Sequence, residues 1–247
     1  MTHSSGTRRT HGGFTLAEMA VVLVIVSLLI GGMLMPFSAQ QDNRRISDTQ
    51  KMLDSIQTAL IGFAVINGRL PCPATPTIPS GAAGAGLEAT TGTAPNTTCA
   101  SLSGVLPWAT LGIPEIDAWG SRFTYRVTAR FAQGTGQPLG LGCIPPSPPT
   151  TASFALCSPG DITVSTATAG GVTVASALPA VVVSHGKNAV GAYSTQGLVI
   201  PGNASTDEQT NASGTANFVS NNAIDDQLTW VPTSLLMSRM LSAGKLP

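Results

Sequence analysis

The chain has 247 residues, of which only 10% are charged; its formal net charge is zero, and it holds 27 glycines and 18 prolines. So little charge and so many turn formers exclude a water-soluble helical bundle, and the balanced charge gives no bulk attraction to nucleic acid. The length suits one sizeable domain or two small ones.

Residues 1–13 are polar and basic, with His3, Arg8, Arg9 and His11 and no acid. Met19 to Phe37 then carries no charge and a single hydroxyl, Ser27. About 20 apolar residues rising 1.5 Å each cover the ~30 Å hydrocarbon core, so this run is expected to span a bilayer. Basic residues ahead of a span stay inside, which places the rest of the chain outside. Glu18 stands at the head of the run, where a carboxylate is costly and usually paired or functional. A secretory signal would end in a small-x-small cleavage site. No clear one follows Phe37; the small residues Gly12 and Gly13 come before the run instead. A cut between Gly13 and Phe14 removes the basic leader and leaves the apolar helix on the mature chain.

The string "GGFTLAEMAVVLVIVSLLIGG" resembles the signal of type IV pilins and type II secretion pseudopilins. The pattern is Gly13, then Phe14-Thr15-Leu16, then Glu18, then the apolar helix. The resemblance implies cleavage after Gly13 by a membrane-embedded prepilin peptidase on the cytoplasmic side, with N-methylation of Phe14. It implies as partners other pilin or pseudopilin subunits, an inner-membrane assembly platform and membrane lipid; nucleic acid is not expected. In an assembling filament Glu18 of one subunit is expected to neutralise the new Phe14 amine of a neighbour, turning two poorly solvated charges into one pair. Such head-to-tail pairing propagates as a helix rather than closing.

From Gln40 to Asn67, Ile46, Leu53, Ile56, Leu60, Phe63 and Val65 or Ile66 recur at helical spacing, predicting an amphipathic helix. Asn67-Gly68 and Pro71 end it. One helix from Phe14 to about Ile66 follows, weakened or kinked at Gly31, Gly32 and Pro36. Residues 71–104 are low in charge and rich in Pro, Ala, Gly and Thr, and are expected to form an ordered loop held by Cys72 and Cys99. Strict alternation predicts a strand over Ser121–Phe131, with Phe123, Tyr125, Val127, Ala129 and Phe131 on the core face. Its other face carries Arg122, Arg126 and Arg130, which are expected on a solvated or subunit-facing edge. Further strands are predicted at Asp161–Ser165, Gly171–Ser176 and Leu178–Gly186, the last with a valine run expected to be the most buried. "PTSLLMSRMLSAGKLP" predicts a closing helix capped by Thr233 or Ser234 and stopped at Gly244.

"IDAWGSRFTYRV" is similar to the Asp-x-Trp-Gly-x-x-Phe/Tyr-x-Tyr motif of major pseudopilins, through Asp117, Trp119, Gly120, Phe123 and Tyr125. That family binds calcium in a late loop. The resemblance makes Asp225 and Asp226 the candidate ligands, with Asp207 and Glu208 further off. The family's ligand spacing is not reproduced, and a solvated Asp-Asp pair is the simpler reading, so no cofactor is expected. "SHGKN" around His185 lacks a phosphate-loop or nucleophile-elbow pattern and reads as a turn.

The four cysteines, Cys72, Cys99, Cys143 and Cys157, contain no CxxC pair and suit an oxidising compartment. Three connectivities are possible; Cys72–Cys99 with Cys143–Cys157 is the expected one because each closes a local loop. The chain is therefore read as α+β and pilin-like, with one long helix packed on an antiparallel sheet of about four strands. Its expected segments are a leader (1–13), a transmembrane and filament-core helix (14–38), an amphipathic helix (39–70) and a periplasmic globular domain (71–247). No nucleophile–base set is visible, and no enzyme activity is expected. The expected function is a filament subunit held by a single pass in a bacterial inner membrane; the alternative is a minor pilin that adheres or binds DNA through its long loops.

Overall fold

The computed structural model describes residues 13–136 and 151–246, with the side chains of 32–37 outside that description. Two compact units divide the chain, Met1–Arg44 and Arg45–Pro247, and the division falls inside the first helix, α1, Leu16–Asn67. α1 starts two residues later than the sequence suggested and is helical throughout, past Gly31 and Pro36. A proline removes one donor from the ladder, and the bonds around it can hold the helix together. The expected leader lies almost wholly outside the described residues.

In the second unit α1 buries Thr49, Leu53, Ile56, Leu60 and Ala64, a stripe at spacings of four and three. Ile46, expected on this stripe, is exposed; of Val65 or Ile66, Val65 packs half-buried against the core and Ile66 is exposed. Phe63 is half-buried, with the Arg69 guanidinium 5.6 Å above its ring.

After α1 the chain forms a hairpin of β1 (Thr90–Thr91) and β2 (Thr98–Cys99), then β3 (Ser103–Val105) and a turn of helix, α2 (Trp108–Leu111). β4 (Thr124–Val127) leads into α3 (Ala129–Ala132). β5 (Ile162–Ser165), β6 (Thr173–Leu178) and β7 (Ala180–Ser184) follow. The chain ends with α4 (Thr206–Ala212), β8 (Asn217–Val219), β9 (Gln227–Val231) and α5 (Thr233–Ser242).

A four-stranded antiparallel sheet has the order β3-β4-β7-β9, as the sequence led one to expect in outline. A second, three-stranded sheet, β6-β5-β8, was not foreseen; its β5–β8 pair is parallel. The two sheets explain the valine run. Ala180 and Val182 join the core under α1 with Phe123, Tyr125 and Val127, while Val181 and Val183 join Ile162, Val164, Leu178 and Phe218. Alternate residues of β7 thus serve two cores, and every residue of the strand is buried.

The strand predicted over Ser121–Phe131 is cut to four residues. Thr128 ends it: its hydroxyl donates to Asp161 and its backbone N–H to Pro179, turning the chain into α3. Phe131 still reaches the core, tilted against Phe154 at 4.8 Å, whereas Ala129 is exposed. Of the three arginines expected on a solvated or subunit-facing edge, Arg130 lies half-buried in α3 and the other two are turned into the fold. Arg122 is fully buried and Arg126 binds the Gly214 carbonyl and Asp161, because further loops and the second sheet cover that side.

Thr233 and Ser234 do not cap α5; the N-cap is Pro232, and the Thr233 hydroxyl donates to the Ala177 carbonyl instead. Gly244 follows the helix with φ +66°, the left-handed conformation a helix stop favours. Cys72 and Cys99 form a disulfide. Cys157 is also disulfide-bonded, and Cys143 lies outside the described residues. Beside the first bridge Arg69 holds Glu88 with two bonds of 2.7 and 2.8 Å, and the Cys72 N–H donates to the same carboxylate.

Candidate functional site

The first candidate site is the beginning of α1. Gly13 has open space around it and Phe14 is 82% exposed. Thr15 and Glu18 form a reciprocal pair. The Thr15 N–H donates to Glu18 Oε2 at 2.9 Å, its hydroxyl donates to the same oxygen at 3.0 Å, and the Glu18 N–H donates to Thr15 Oγ1 at 3.2 Å. This is a capping box, and it fixes the helix start at Leu16. The signal for it, Thr-x-x-Glu before an apolar run, is plain in the sequence but was not singled out. Glu18 therefore has a partner inside its own chain, in addition to any it meets in a neighbour.

From Leu16 to Ile30 the large apolar side chains stand exposed around the whole helix, so no one face of it is distinguished as a core face. A helix apolar on every side suits lipid or the interior of an assembly. Among the described residues no helix is long and apolar enough to cross a membrane.

The second candidate site lies where β7 ends. Glu208, Asp225 and Asp226 each place a carboxylate oxygen within 4.8 Å of the others. Asp225 and Asp226 are the two acids the resemblance put first; of the two placed further off, Glu208, on α4, joins them and Asp207 does not. Ser205 caps α4 in a second capping box, which turns Glu208 inward. Asn188 donates its backbone N–H to Asp225 Oδ2 at 2.8 Å and its amide to Glu208. Gly186 permits the close approach: its φ is +59°, and a Cβ there would lie 2.2 Å from the Asp225 carbonyl oxygen. Asp207 points elsewhere, accepting from Thr168 N–H and Asn221.

The electrostatics of this cluster are unbalanced. Burial, with Asp225 and Glu208 close by, pushes the Asp226 carboxyl up to about 7, against the lowering bond from Asn211. Burial pulls His185 down to about 4, so at neutral pH it is uncharged and its 3.8 Å approach to Asp226 is not an ion pair. His185 heads the turn that the sequence suggested and is fully buried there, its Nε2 2.8 Å from the Thr124 hydroxyl. Asp225 Oδ1 and Asp226 Oδ1 are buried without a hydrogen-bond partner among the described residues. The donors to the cluster, Asn188, Ser205 and Asn211, are all neutral. Orphaned, hard oxygen atoms of this kind fit an oxygen-preferring divalent cation such as calcium.

The Asp-x-Trp-Gly stretch is a structural clasp. Asp117 Oδ1 accepts from the N–H groups of Trp119 and Ser121, and Oδ2 accepts from Ser184 Oγ at 2.6 Å. Gly120 takes φ +95° at the turn. The motif thereby fastens the approach to β4 to the end of β7, ahead of the acidic cluster.

Residues 8–34 match the family model described as a prokaryotic N-terminal methylation motif. They carry the prepilin-type signal characteristic of type IV pilins and pseudopilins. No curated protein and no solved structure matches the chain. The class defined is thus a chain with a prepilin-type amino-terminal signal and an α+β globular unit that has both an antiparallel and a mixed sheet.

Proposed function

We propose that the chain is a structural subunit of a type IV pilus or type II secretion filament, anchored by a single pass in a bacterial inner membrane until it is extracted. Prepilin peptidase cuts after Gly13 and methylates the Phe14 amine, Glu18 guides docking, and the globular unit faces the periplasm. The observation that carries this reading is the match over residues 8–34, which contains Gly13, Phe14 and Glu18 in one string. The exposed apolar start of α1 supports it, since lipid and neighbouring helices are the two surroundings that suit such a surface. Intact-mass and amino-terminal analysis of the protein from producing cells should find a chain beginning at N-methylated Phe14. A chain that keeps Met1, or begins beyond Phe37, would refute it. Glu18→Ala should leave cleavage unchanged and abolish filaments; normal filaments from that variant would remove the pairing role.

The acidic cluster supports a second element of the reading, a calcium ion held by Glu208, Asp225 and Asp226. Its chemistry is structural: its two positive charges would offset most of the charge of the three carboxylates and tie α4 to the loop before β9. Adding calcium to the chelator-treated protein should raise Tm by several degrees, since a ligand at 100 times Kd adds about 2.7 kcal/mol. Asp226→Asn should abolish that increment while raising Tm without calcium, because it removes a buried carboxylate. Equal Tm values with calcium and with chelator would exclude the ion.

A further inference from the structure

On the second unit α1 and α5 leave an open groove of about 450 Å³ between them. Ile61, Gly62, Val65 and Ile66 line it from α1, and Leu235 and Arg239 from α5. Ile66 is 75% exposed there. Gly62 is not explained by the packing of its own subunit. It stands in the interior of a 52-residue helix, where glycine is less stable than alanine. A Cβ built on it would meet no described atom within 4 Å. Neither a turn nor a neighbouring described residue requires a glycine at this position. Over open space, a helix glycine lets the backbone of another helix come close.

Arg239 adds an independent constraint. It is exposed and is the single charged residue lining the groove. Among the described residues its guanidinium makes no ion pair and no hydrogen bond. An occupant that suits these walls is therefore a helix, apolar along its length, that brings one carboxylate.

The chain itself carries such a segment. Between Arg9 and Asp42 its single charged residue is Glu18, at the head of a helix whose large side chains stand exposed from Leu16 to Ile30. Both side-chain bonds from Thr15 go to Glu18 Oε2, which leaves Oε1 to accept from elsewhere. Ala17 and Ala20 flank Glu18 three residues apart, so small side chains share a face beside it and can approach Gly62. The lining residues of α1 run from Gln57 to Ile66, a rise of about 14 Å, which the helix from Glu18 to Val26 matches in length. We propose that the groove between α1 and α5 receives the start of α1 from a second copy of the chain, with Arg239 facing that copy's Glu18. This rests on the filament reading and gives the docking carboxylate a place on the neighbour's globular unit.

The test is photo-cross-linking of the full chain in producing cells, with Ile66→p-benzoylphenylalanine as the probe and mass spectrometry to map its products. A dimer joined to residues 14–30 of a second copy is expected. Gly62→Leu should reduce that product at least tenfold without lowering Tm, since it fills the groove and touches nothing else. Gly62→Ala should raise Tm and reduce the product several-fold. Arg239→Glu should reduce it at least tenfold, and Arg239→Lys should keep most of it. Cross-links to another segment of the same chain, to a different protein or to another part of the second copy would overturn the proposal, as would an undiminished dimer in Gly62→Leu and Arg239→Glu. If these come from chains cut after Gly13 and assembled into filaments, the filament reading stands without the groove; chains neither cut nor assembled overturn both.

Discussion

Replacing Arg122 by alanine is expected to destabilise the protein by about 3–5 kcal/mol, the loss typical when one partner of a buried pair is removed. Its side chain is wholly inaccessible. Nε donates to Glu115 at 2.8 Å, Nη1 to the Pro76 carbonyl at 2.9 Å and Nη2 to the Thr195 carbonyl at 3.1 Å. The guanidinium also lies 4.7 Å from the Trp108 ring centroid. One planar cation therefore joins segments around residues 76, 108, 115 and 195. Alanine leaves two carbonyls and a carboxylate without their donor, and each orphan costs about 1–3 kcal/mol where water cannot reach it. Arg122→Lys should recover only part, because an ammonium cannot reproduce the fork. Urea unfolding followed by tryptophan fluorescence measures the effect. A loss below about 1 kcal/mol for the alanine variant would show that water replaces the network.

Removing the Cys72–Cys99 bridge is the second large expected effect, about 3.5 kcal/mol for a separation of 27 residues in the chain-entropy account. The bridge closes a segment whose hydrogen bonds are mostly those of turns and one short hairpin. Cys72 itself is fully buried in the main core. The double variant Cys72→Ala/Cys99→Ala should unfold at clearly lower urea, with the Cys157 bridge untouched. The single variants should behave alike, since either one opens the loop. An unfolding midpoint equal to that of the parent would mean that Arg69, Glu88 and the hairpin hold the segment unaided.

Some of this was legible in the chain because its cause is local. Gly13, Phe14 and Glu18 fall within six residues, and what they specify is read along a single helix start. The capping box of Thr15 and Glu18 is equally local, since the carboxylate reaches back only three residues. The Leu53, Ile56 and Leu60 stripe and the valine run of β7 were visible as periodicity. That the run serves two cores was not, since continuous apolar sequence reports burial on both sides without saying what covers each.

The acidic site was half legible. Asp225 and Asp226 adjoin in sequence, but Glu208 reaches them only through a short helix whose capping box turns it inward. Arg122 shows the opposite error. Alternation placed it on a solvated or subunit-facing edge, and loops from distant parts of the chain cover that face. Asn211 sits in a glycosylation-like Asn-Ala-Ser string, yet it is fully buried as the bolt between α4 and β8.

By itself the sequence determined the amino-terminal signal, the long helix and its buried stripe, because these depend on the order of neighbouring residues along one element. Only the tertiary structure decided the second sheet, the buried Arg122 and the joining of Glu208 to Asp225 and Asp226. Each of these joins residues far apart in the chain, and desolvation and hydrogen-bond geometry, not local periodicity, select which of them meet.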